Sequence, residues 1–203
     1  MSMAMDIVTV EQPEYRQVLK SKAQEVQFPL SQADKDLIVA MKSKLYELGG
    51  VGLAAPQVNF PRRIIAVYIS EEATLLRDNV KKFYPMHVMI NPNYEPVSGS
   101  VMQQDFEGCY SVSGKSGKVP RYEQITVSYY DESGQFHQHI EEGFYARVLQ
   151  HEIDHLNGLL ILDRLTPDCI QGSLEEMMAL RRESLPPEKR AMFDQAMARK
   201  AKK

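Results

Sequence analysis

The chain has 203 residues, of which 43% are apolar and 25% charged, and its net charge at pH 7 is −3. This composition is typical of a soluble folded protein and excludes a disordered chain, a collagen-like chain and a coiled coil. No apolar run approaches the roughly 20 residues of a membrane helix, and no signal peptide is visible at the start, so we expect no membrane contact and a cytoplasmic location. Two cysteines, Cys109 and Cys169, are too few for a disulfide framework.

In chain order, the first predicted element is an amphipathic helix that begins after Ser31 and ends at Gly49. Short apolar runs over residues 64–69 and 87–90 predict two buried strands, the second of which is stopped by residues 91–93. The 71–86 segment between these strands is interpreted as an insertion of unknown role.

The second half of the chain begins with a predicted hairpin, because apolar residues alternate with polar ones on both sides of the turn at residues 131–134. Residues 144–156 carry apolar side chains on two faces of a helix, which predicts a helix buried among strands. Two amphipathic helical segments follow Pro167 and are separated by Pro186 and Pro187.

Because strands and helices do not alternate regularly, the order favours an α+β fold, with antiparallel sheets packed around the 144–156 helix and a helical C-terminal tail. We expect one domain, with a catalytic part over residues 1–169 and a basic helical extension over residues 170–203, and we favour a monomer. Residues 181–203 carry eight basic and three acidic residues, a net charge of +5, which leaves −8 for the rest. Such a tail is either a solvated helix face or a surface for a polyanionic partner.

The strongest chemical signal is the segment from His151 to His155, which lies in the predicted central helix. Histidines four residues apart project from the same face of a helix, so the two imidazoles can bind one divalent metal ion. Glu152 lies beside the pair and can take a proton from a metal-activated water. Asp154, in the same segment, is expected either to support the ligands or to orient the helix.

Two imidazoles require a third protein ligand to form a catalytic site that keeps a position open for water. Downstream, Glu175 and Glu176 are candidates, although no motif surrounds them. Upstream, Cys109 lies in the segment Glu-Gly-Cys-Tyr-Ser, and a thiolate is a soft ligand that suits zinc or iron. Cys169 is interpreted as a buried cysteine without a chemical role.

A third segment, from Gly50 to Gln57, is rich in glycine and alanine and leaves the backbone uncovered for an extended substrate. Gln57 can donate its side-chain amide to a developing oxyanion. A simple turn is the alternative interpretation. A phosphate-binding loop is disfavoured, because the segment lacks the Gly-Lys-Ser/Thr ending of such loops.

Taken together, residues 50–57, 107–111 and 150–155 resemble the three motifs of the peptide deformylase family, in the same order. The family pattern is Gly-φ-Gly-φ-Ala-Ala-x-Gln, Glu-Gly-Cys-φ-Ser and Gln-His-Glu-x-Asp-His, where φ is apolar. All fixed positions match if Tyr110, which stands where Leu is commoner, is accepted as φ. The resemblance covers roughly residues 5–165.

The resemblance implies removal of the formyl group from the N-terminal formyl-methionine of nascent polypeptides, with release of formate. It also implies a metal site made of Cys109, His151 and His155, with Fe²⁺ as the native ion and Zn²⁺, Ni²⁺ or Co²⁺ as substitutes. A metal-bound water would attack the formyl carbon with Glu152 as general base and acid. The Gln57 side chain and the backbone N–H of Tyr110 would stabilise the oxyanion.

The peptide is expected to bind in an extended conformation beside Val51 and Gly52. The apolar slot for methionine is assigned to Val51, Phe144 and Val148. Residues 113–118 depart from the family pattern: they lack its Pro and Arg, and two glycines predict a mobile loop in which Lys115 or Lys118 replaces the missing contact.

Of the two interpretations of the basic tail, the solvated helix face is favoured, and the one with a polyanionic partner predicts contact with the ribosome. Two rival hypotheses remain. One is a zinc endoprotease, which needs no cysteine ligand, and the other is a non-catalytic zinc-stabilised module that binds ribosomal RNA through the tail.

Overall fold

The computed structural model describes residues 5–202, so the first four residues of the predicted catalytic part and Lys203 of the basic tail lie outside it. Short 3-10 turns lie at Pro13–Tyr15 and Ala55–Val58. The helices are α1 (Arg16–Lys20), α2 (Gln32–Leu48), α3 (Glu71–Leu76), α4 (Gly143–Leu156), α5 (Ile161–Arg164), α6 (Leu174–Ser184) and α7 (Pro187–Ala201). The strands are β1 (Gly52–Ala54), β2 (Ile64–Ile69), β3 (Tyr84–Pro96), β4 (Met102–Cys109), β5 (Val112–Tyr122), β6 (Gln124–Tyr130), β7 (Phe136–Glu142) and β8 (Gln171–Gly172).

The strands form two antiparallel sheets, one of five strands in the order β1-β2-β3-β6-β7 and one of three in the order β4-β5-β8. Helix α4 contacts strands of both sheets. The predicted α+β class, with antiparallel sheets around this helix, is confirmed. Within residues 5–202, no helix combines the length and the apolar character that crossing a membrane requires.

The five-stranded sheet is buried on both faces, which explains why β2 is apolar at every position. Ile65 and Val67 of β2 pack against α4, whereas Ile64 and Ala66 pack against α2 on the other face. Because successive side chains of a strand point to opposite faces, the side chains on both faces of β2 are buried away from water. Helix α4 is thereby held in the core.

Most predicted elements lie where the sequence places them. Ser31 caps α2 by accepting a hydrogen bond from the backbone N–H of Asp34 at 3.1 Å. Gly49 ends this helix in the left-handed conformation, with φ of 65°. Helix α4 covers the predicted 144–156 helix, and α6 and α7 are the two segments separated by Pro186.

Two expectations are wrong. The strand that begins before His87 is not stopped at residues 91–93 but continues to Pro96, after a change of register between Ile90 and Asn93. The side chain of Asn91, which adopts φ of 50°, bonds both the N–H and the carbonyl of Val26 and so supports the irregularity. Residues 113–118 are not a loop but part of β5: residues 116–118 pair with β4 and β8, and the backbone N–H groups of Ser113 and Gly114 donate to the carboxylate of Glu11.

The 71–86 segment contains α3, which Ser70 caps through the backbone N–H of Ala73. Helix α7 packs against α3, and α6 packs against β4, β5 and β8. The insertion and the C-terminal tail therefore meet on one side of the molecule, although more than 80 residues separate them in sequence.

Candidate metal centre and substrate cleft

His151 and His155 lie one turn apart on α4, and their Nε2 atoms are 3.3 Å from each other. Cys109 is the last residue of β4, and its Sγ atom lies 3.3 Å from Nε2 of His155. The ligand atoms of the three residues all lie within 4.8 Å of one another. A buried helix and the end of a hairpin strand therefore bring one sulfur and two nitrogens together.

This group is the one cluster of three potential metal ligands found among residues 5–202. Glu175 and Glu176, the alternative third ligands, lie in the first turn of α6 and are outside the cluster. A thiolate with two imidazoles is a donor set that suits iron and zinc. The residues present thus fit a transition-metal ion.

Glu107 orients His151, a role that the sequence analysis did not assign. Its carboxylate lies 2.7 Å from Nδ1 of His151, so Nδ1 donates to Glu107 and Nε2 is left as the ring nitrogen that would bind a metal ion. Arg121 binds the same carboxylate at 2.9 and 3.0 Å, and Arg147 binds it at 2.6 Å. The position of Glu107, two residues before Cys109 on one strand, is the signal that could have indicated a shared face.

Burial favours the neutral form of Glu107, but Arg121 and His151 outweigh it and hold the pKa of this carboxyl well below its usual range. Burial also opposes a charge on His151, yet Glu152, Cys109 and Glu107 raise the pKa of this imidazole. The pKa of His155 is lowered by burial and by His151. The cluster therefore combines a neutral imidazole at His155 with a carboxylate held in the charged form at Glu107.

The carboxylate of Asp154 binds neighbouring side chains other than the two histidine ligands. It accepts hydrogen bonds from Arg121 at 2.6 Å, from Arg164 at 2.9 and 3.0 Å and from Tyr94 at 2.8 Å. Arg121 also binds Glu107, so Asp154 acts on the metal cluster through that arginine.

Glu152 is buried beside the cluster, with Oε2 at 4.0 Å from Nε2 of His151. Its Oε1 atom has no hydrogen-bond partner among the described residues. Burial raises the pKa of Glu152 to about 7, with Glu107 adding to the effect and His151 opposing it. Gly52 permits this position, since a Cβ there would lie only 2.5 Å from Oε2 of Glu152.

Gln57 approaches the cluster from the 3-10 turn after β1. Its side-chain oxygen accepts the backbone N–H of Ala54 at 2.9 Å, which directs the amide nitrogen toward Sγ of Cys109 at 3.6 Å. Tyr110 lies in the turn between β4 and β5, and its ring covers Gly50. The structure therefore brings both predicted oxyanion donors next to Cys109.

A model of the polypeptide deformylase family matches residues 4–170. Peptide deformylase 2 of Rickettsia conorii is 39% identical over 173 residues, which cover 84% of this chain and 85% of the relative. Peptide deformylase of Streptococcus gordonii is 39% identical over 166 residues, which cover 72% of this chain and 79% of the relative. The Met-Ala-Ser-bound crystal structure of class I type b peptide deformylase from Acinetobacter baumannii superposes with a TM-score of 0.68 at 32% identity, over 81% of this chain and all of that one.

The chain belongs to the peptide deformylase family. It is thus an enzyme, a metal-dependent hydrolase that removes the N-formyl group from nascent peptides. The match ends at residue 170, so α6 and α7 lie beyond the region that the family model describes.

The deformylase cleft is a cavity of about 730 Å³ that opens beside the metal cluster. Val51, Gly52, Phe144 and Val148, the residues predicted to bind substrate, all line it. Lys115 and Lys118 do not line it, and the ammonium group of Lys118 lies over the ring of Phe106. Instead, the cleft is closed by side chains that the sequence analysis did not consider, from α3, α6 and α7: Leu76, Arg77, Leu174, Met177, Met178, Arg181 and Met197.

Proposed function

We propose that Cys109, His151 and His155 hold one divalent metal ion, and that the adjoining cleft hydrolyses the formyl amide of an N-terminal formyl-methionine. The observation that carries the proposal is the approach of Sγ of Cys109 to within 3.3 Å of Nε2 of His155, which lies 3.3 Å from Nε2 of His151. When bound there, the metal would act as a Lewis acid and lower the pKa of a water molecule. Fe²⁺ is the native ion in this proposal, with Zn²⁺, Ni²⁺ and Co²⁺ as substitutes, since a mixed sulfur and nitrogen donor set accepts all four.

Glu152 is the proton carrier of the reaction. Its unpartnered Oε1 is free to accept a proton from the attacking water, and the same carboxyl then delivers that proton to the leaving amine. Burial between α4 and β1 keeps this side chain away from bulk water. Both transfers thus occur on one group that the protein holds beside the ligands.

The negative charge that develops on the formyl oxygen is stabilised by the side-chain amide of Gln57 and the backbone N–H of Tyr110. The bond from the N–H of Ala54 fixes the Gln57 amide, so its nitrogen is directed toward the metal cluster before substrate arrives. Such preorganised donors stabilise the transition state more than the substrate.

The peptide binds in an extended conformation along β1, which is an edge strand of the five-stranded sheet. Backbone pairing near Val51 and Gly52 places the methionine side chain in the slot between Val51, Phe144 and Val148. The Acinetobacter baumannii structure with bound Met-Ala-Ser supports a peptide of this kind as ligand.

The test is purification without oxygen, metal analysis and a formate-release assay on formyl-Met-Ala-Ser. Cys109→Ser should lose both metal and activity, whereas Cys169→Ser, at the second cysteine, should keep both. Glu152→Gln should keep the metal and lose about 10²- to 10⁴-fold in rate. Gln57→Leu should lose about 10²- to 10³-fold, mainly in kcat.

A Cys109→Ser variant with full metal content would remove Cys109 from the set of metal ligands. Full turnover by Glu152→Gln would remove this residue from the mechanism.

Contact between the basic tail and the ribosome stays a prediction, as do the monomeric state, the cytoplasmic location and the assignment of residues 170–203 as an extension of the catalytic domain. Some of the basic side chains are engaged within the chain: Lys189 binds Asp78 at 2.9 Å and Arg182 binds Asp194 at 2.8 Å. Binding of the full chain to ribosomes at increasing salt concentration tests the contact.

A further inference from the structure

One wall of the cleft is built by α3 together with α6 and α7. Leu76 of α3 and Phe193 of α7 belong to one buried cluster, and Lys189 of α7 pairs with Asp78 just after α3. These contacts hold the C-terminal helices against the insertion. The wall is therefore part of the folded cleft rather than a detached tail.

Helix α6 runs along this wall from the metal cluster outward. Leu174, in its first turn, lies 3.5 Å from the position that a Cβ of Gly108 would occupy, next to Cys109. Arg181 lies seven residues further and also lines the cavity. Seven residues of helix span about 10 Å. An extended peptide covers that distance in about three residues.

Positive charge is concentrated at this end of the cleft. Arg77 lines the cavity near Arg181, and its guanidinium lies 4.0 Å above the ring of Phe144. Asp105 binds Arg77 at 3.2 Å and is also the carboxylate that acts on Arg181. Burial lowers the pKa of Arg77 to about 10, Arg181 adds to this effect, and Asp105 opposes it. Two guanidinium groups thus share one carboxylate.

Arg181 is half-buried, and its guanidinium packs 5.2 Å from the ring centroid of Phe193. Its side chain makes no hydrogen bond or ion pair with any residue between 5 and 202. Its charge is therefore balanced only by the ring of Phe193 and by the longer-range attraction of Asp105, and not by a direct ion pair. Arg181 has its five N–H donors available to a carboxylate in the cleft.

We propose that Arg181, assisted by Arg77, determines substrate specificity by binding an acidic side chain at the third residue of the formyl peptide. In an extended peptide the first and third side chains point to the same side. Phe144 lines the methionine slot, and the guanidinium of Arg77 lies directly over its ring. The third side chain, which points to the same side of the peptide as the methionine, therefore extends toward Arg77 and Arg181. The inference rests on the proposed function, because it requires the peptide to bind in this cleft.

The experiment compares kcat/KM for formyl-Met-Ala-Glu and formyl-Met-Ala-Gln, which differ in charge but little in shape. The acidic peptide should be favoured about three- to tenfold, mainly through KM, as for a partly exposed charge-assisted pair. Arg181→Met should bring the ratio close to one. Arg182→Met is the matched control and should keep the ratio, because Arg182 is exposed and pairs with Asp194 outside the cleft. Arg181→Glu should reverse the preference toward formyl-Met-Ala-Lys.

The proposal is overturned if the unmodified enzyme treats both peptides alike or if the preference survives Arg181→Met. It is also overturned if an acidic second residue is favoured more strongly than an acidic third residue. Raising the ionic strength should lower the ratio in the unmodified enzyme, which tests the charge contribution without any substitution. Equal turnover of all peptides contradicts the specificity alone. Absence of formate release from every peptide contradicts the proposed function itself.

Discussion

The two walls of the cleft are held together by different interactions. On the catalytic wall, the buried side chain of Arg121 binds two buried carboxylates, those of Glu107 and Asp154. The opposite wall is made of α3, α6 and α7, which contact one another through methionine and other apolar side chains. Its charged residues form exposed ion pairs, such as that of Arg182 with Asp194. A buried charged network fixes positions, whereas methionine-rich packing adapts to a ligand. The comparison indicates that chemistry depends on the first wall and peptide preference on the second.

The largest expected effect follows from Glu107→Gln on the catalytic wall. The substitution leaves Arg121 and Arg147 without their shared carboxylate in the interior, and removing one partner of a buried pair costs about 3–5 kcal/mol of unfolding free energy. His151 also loses the group that fixes its ring, so metal affinity should fall about 10- to 100-fold. Chemical denaturation of the metal-loaded enzyme and competition with a chelator measure the two losses.

The matched control on the opposite wall is Asp194→Asn, which breaks the exposed pair with Arg182. Exposed pairs of this kind often contribute nothing measurable, so stability and metal affinity should both stay unchanged. Equal losses in the two variants would mean that the two walls are not held differently.

A smaller effect is expected from glycine-to-alanine substitutions, each of which adds one methyl group next to one wall. In Gly52→Ala, the new Cβ would lie 2.5 Å from Oε2 of Glu152, so the general base must move within a packed site. Displacement of a reacting group by about 1 Å costs about 10²-fold in rate, and we expect this loss in kcat with the metal retained.

Gly108→Ala is the comparison, because its new Cβ would meet Leu174 of the opposite wall at 3.5 Å, an ordinary contact. Its kcat should stay near that of the unmodified enzyme. A loss as large as that of Gly52→Ala would show that the opposite wall is as rigid as the catalytic one. Formate release under saturating peptide measures both.

The catalytic wall was largely predictable from sequence, and the opposite wall was not. Histidines four apart in a helix have one geometry, so the approach of His151 and His155 follows from their spacing. The resemblance supplied Cys109, which spacing alone left open against Glu175 and Glu176. Gln57 was singled out by its segment.

The partners of Glu107 could not be predicted in the same way. Arg121 and Arg147 come from β5 and α4, and nothing in their local sequence says which carboxylate they reach in the interior. The contact between α3 and α7 depends on packing across more than 100 residues. Strand β3 continued past Asn91 because a tertiary bond to Val26 overrode the local turn signal.

The smallest expected effect on catalysis is that of Phe193→Ala. This variant tests whether the opposite wall can unfold locally while the catalytic wall stays folded. Phe193 is 3% exposed and joins α7 to Leu76 of α3. The truncation should loosen α7 rather than unfold the enzyme, because this cluster is separate from the core around α4. Amide hydrogens of α7 should lose about 10²- to 10⁴-fold in exchange protection, as expected for a loss of about 3–5 kcal/mol. Those of α4 should keep their protection, and kcat and metal content should stay the same. Equal loss of protection in α4 and α7 would instead show that both walls unfold as one cooperative unit.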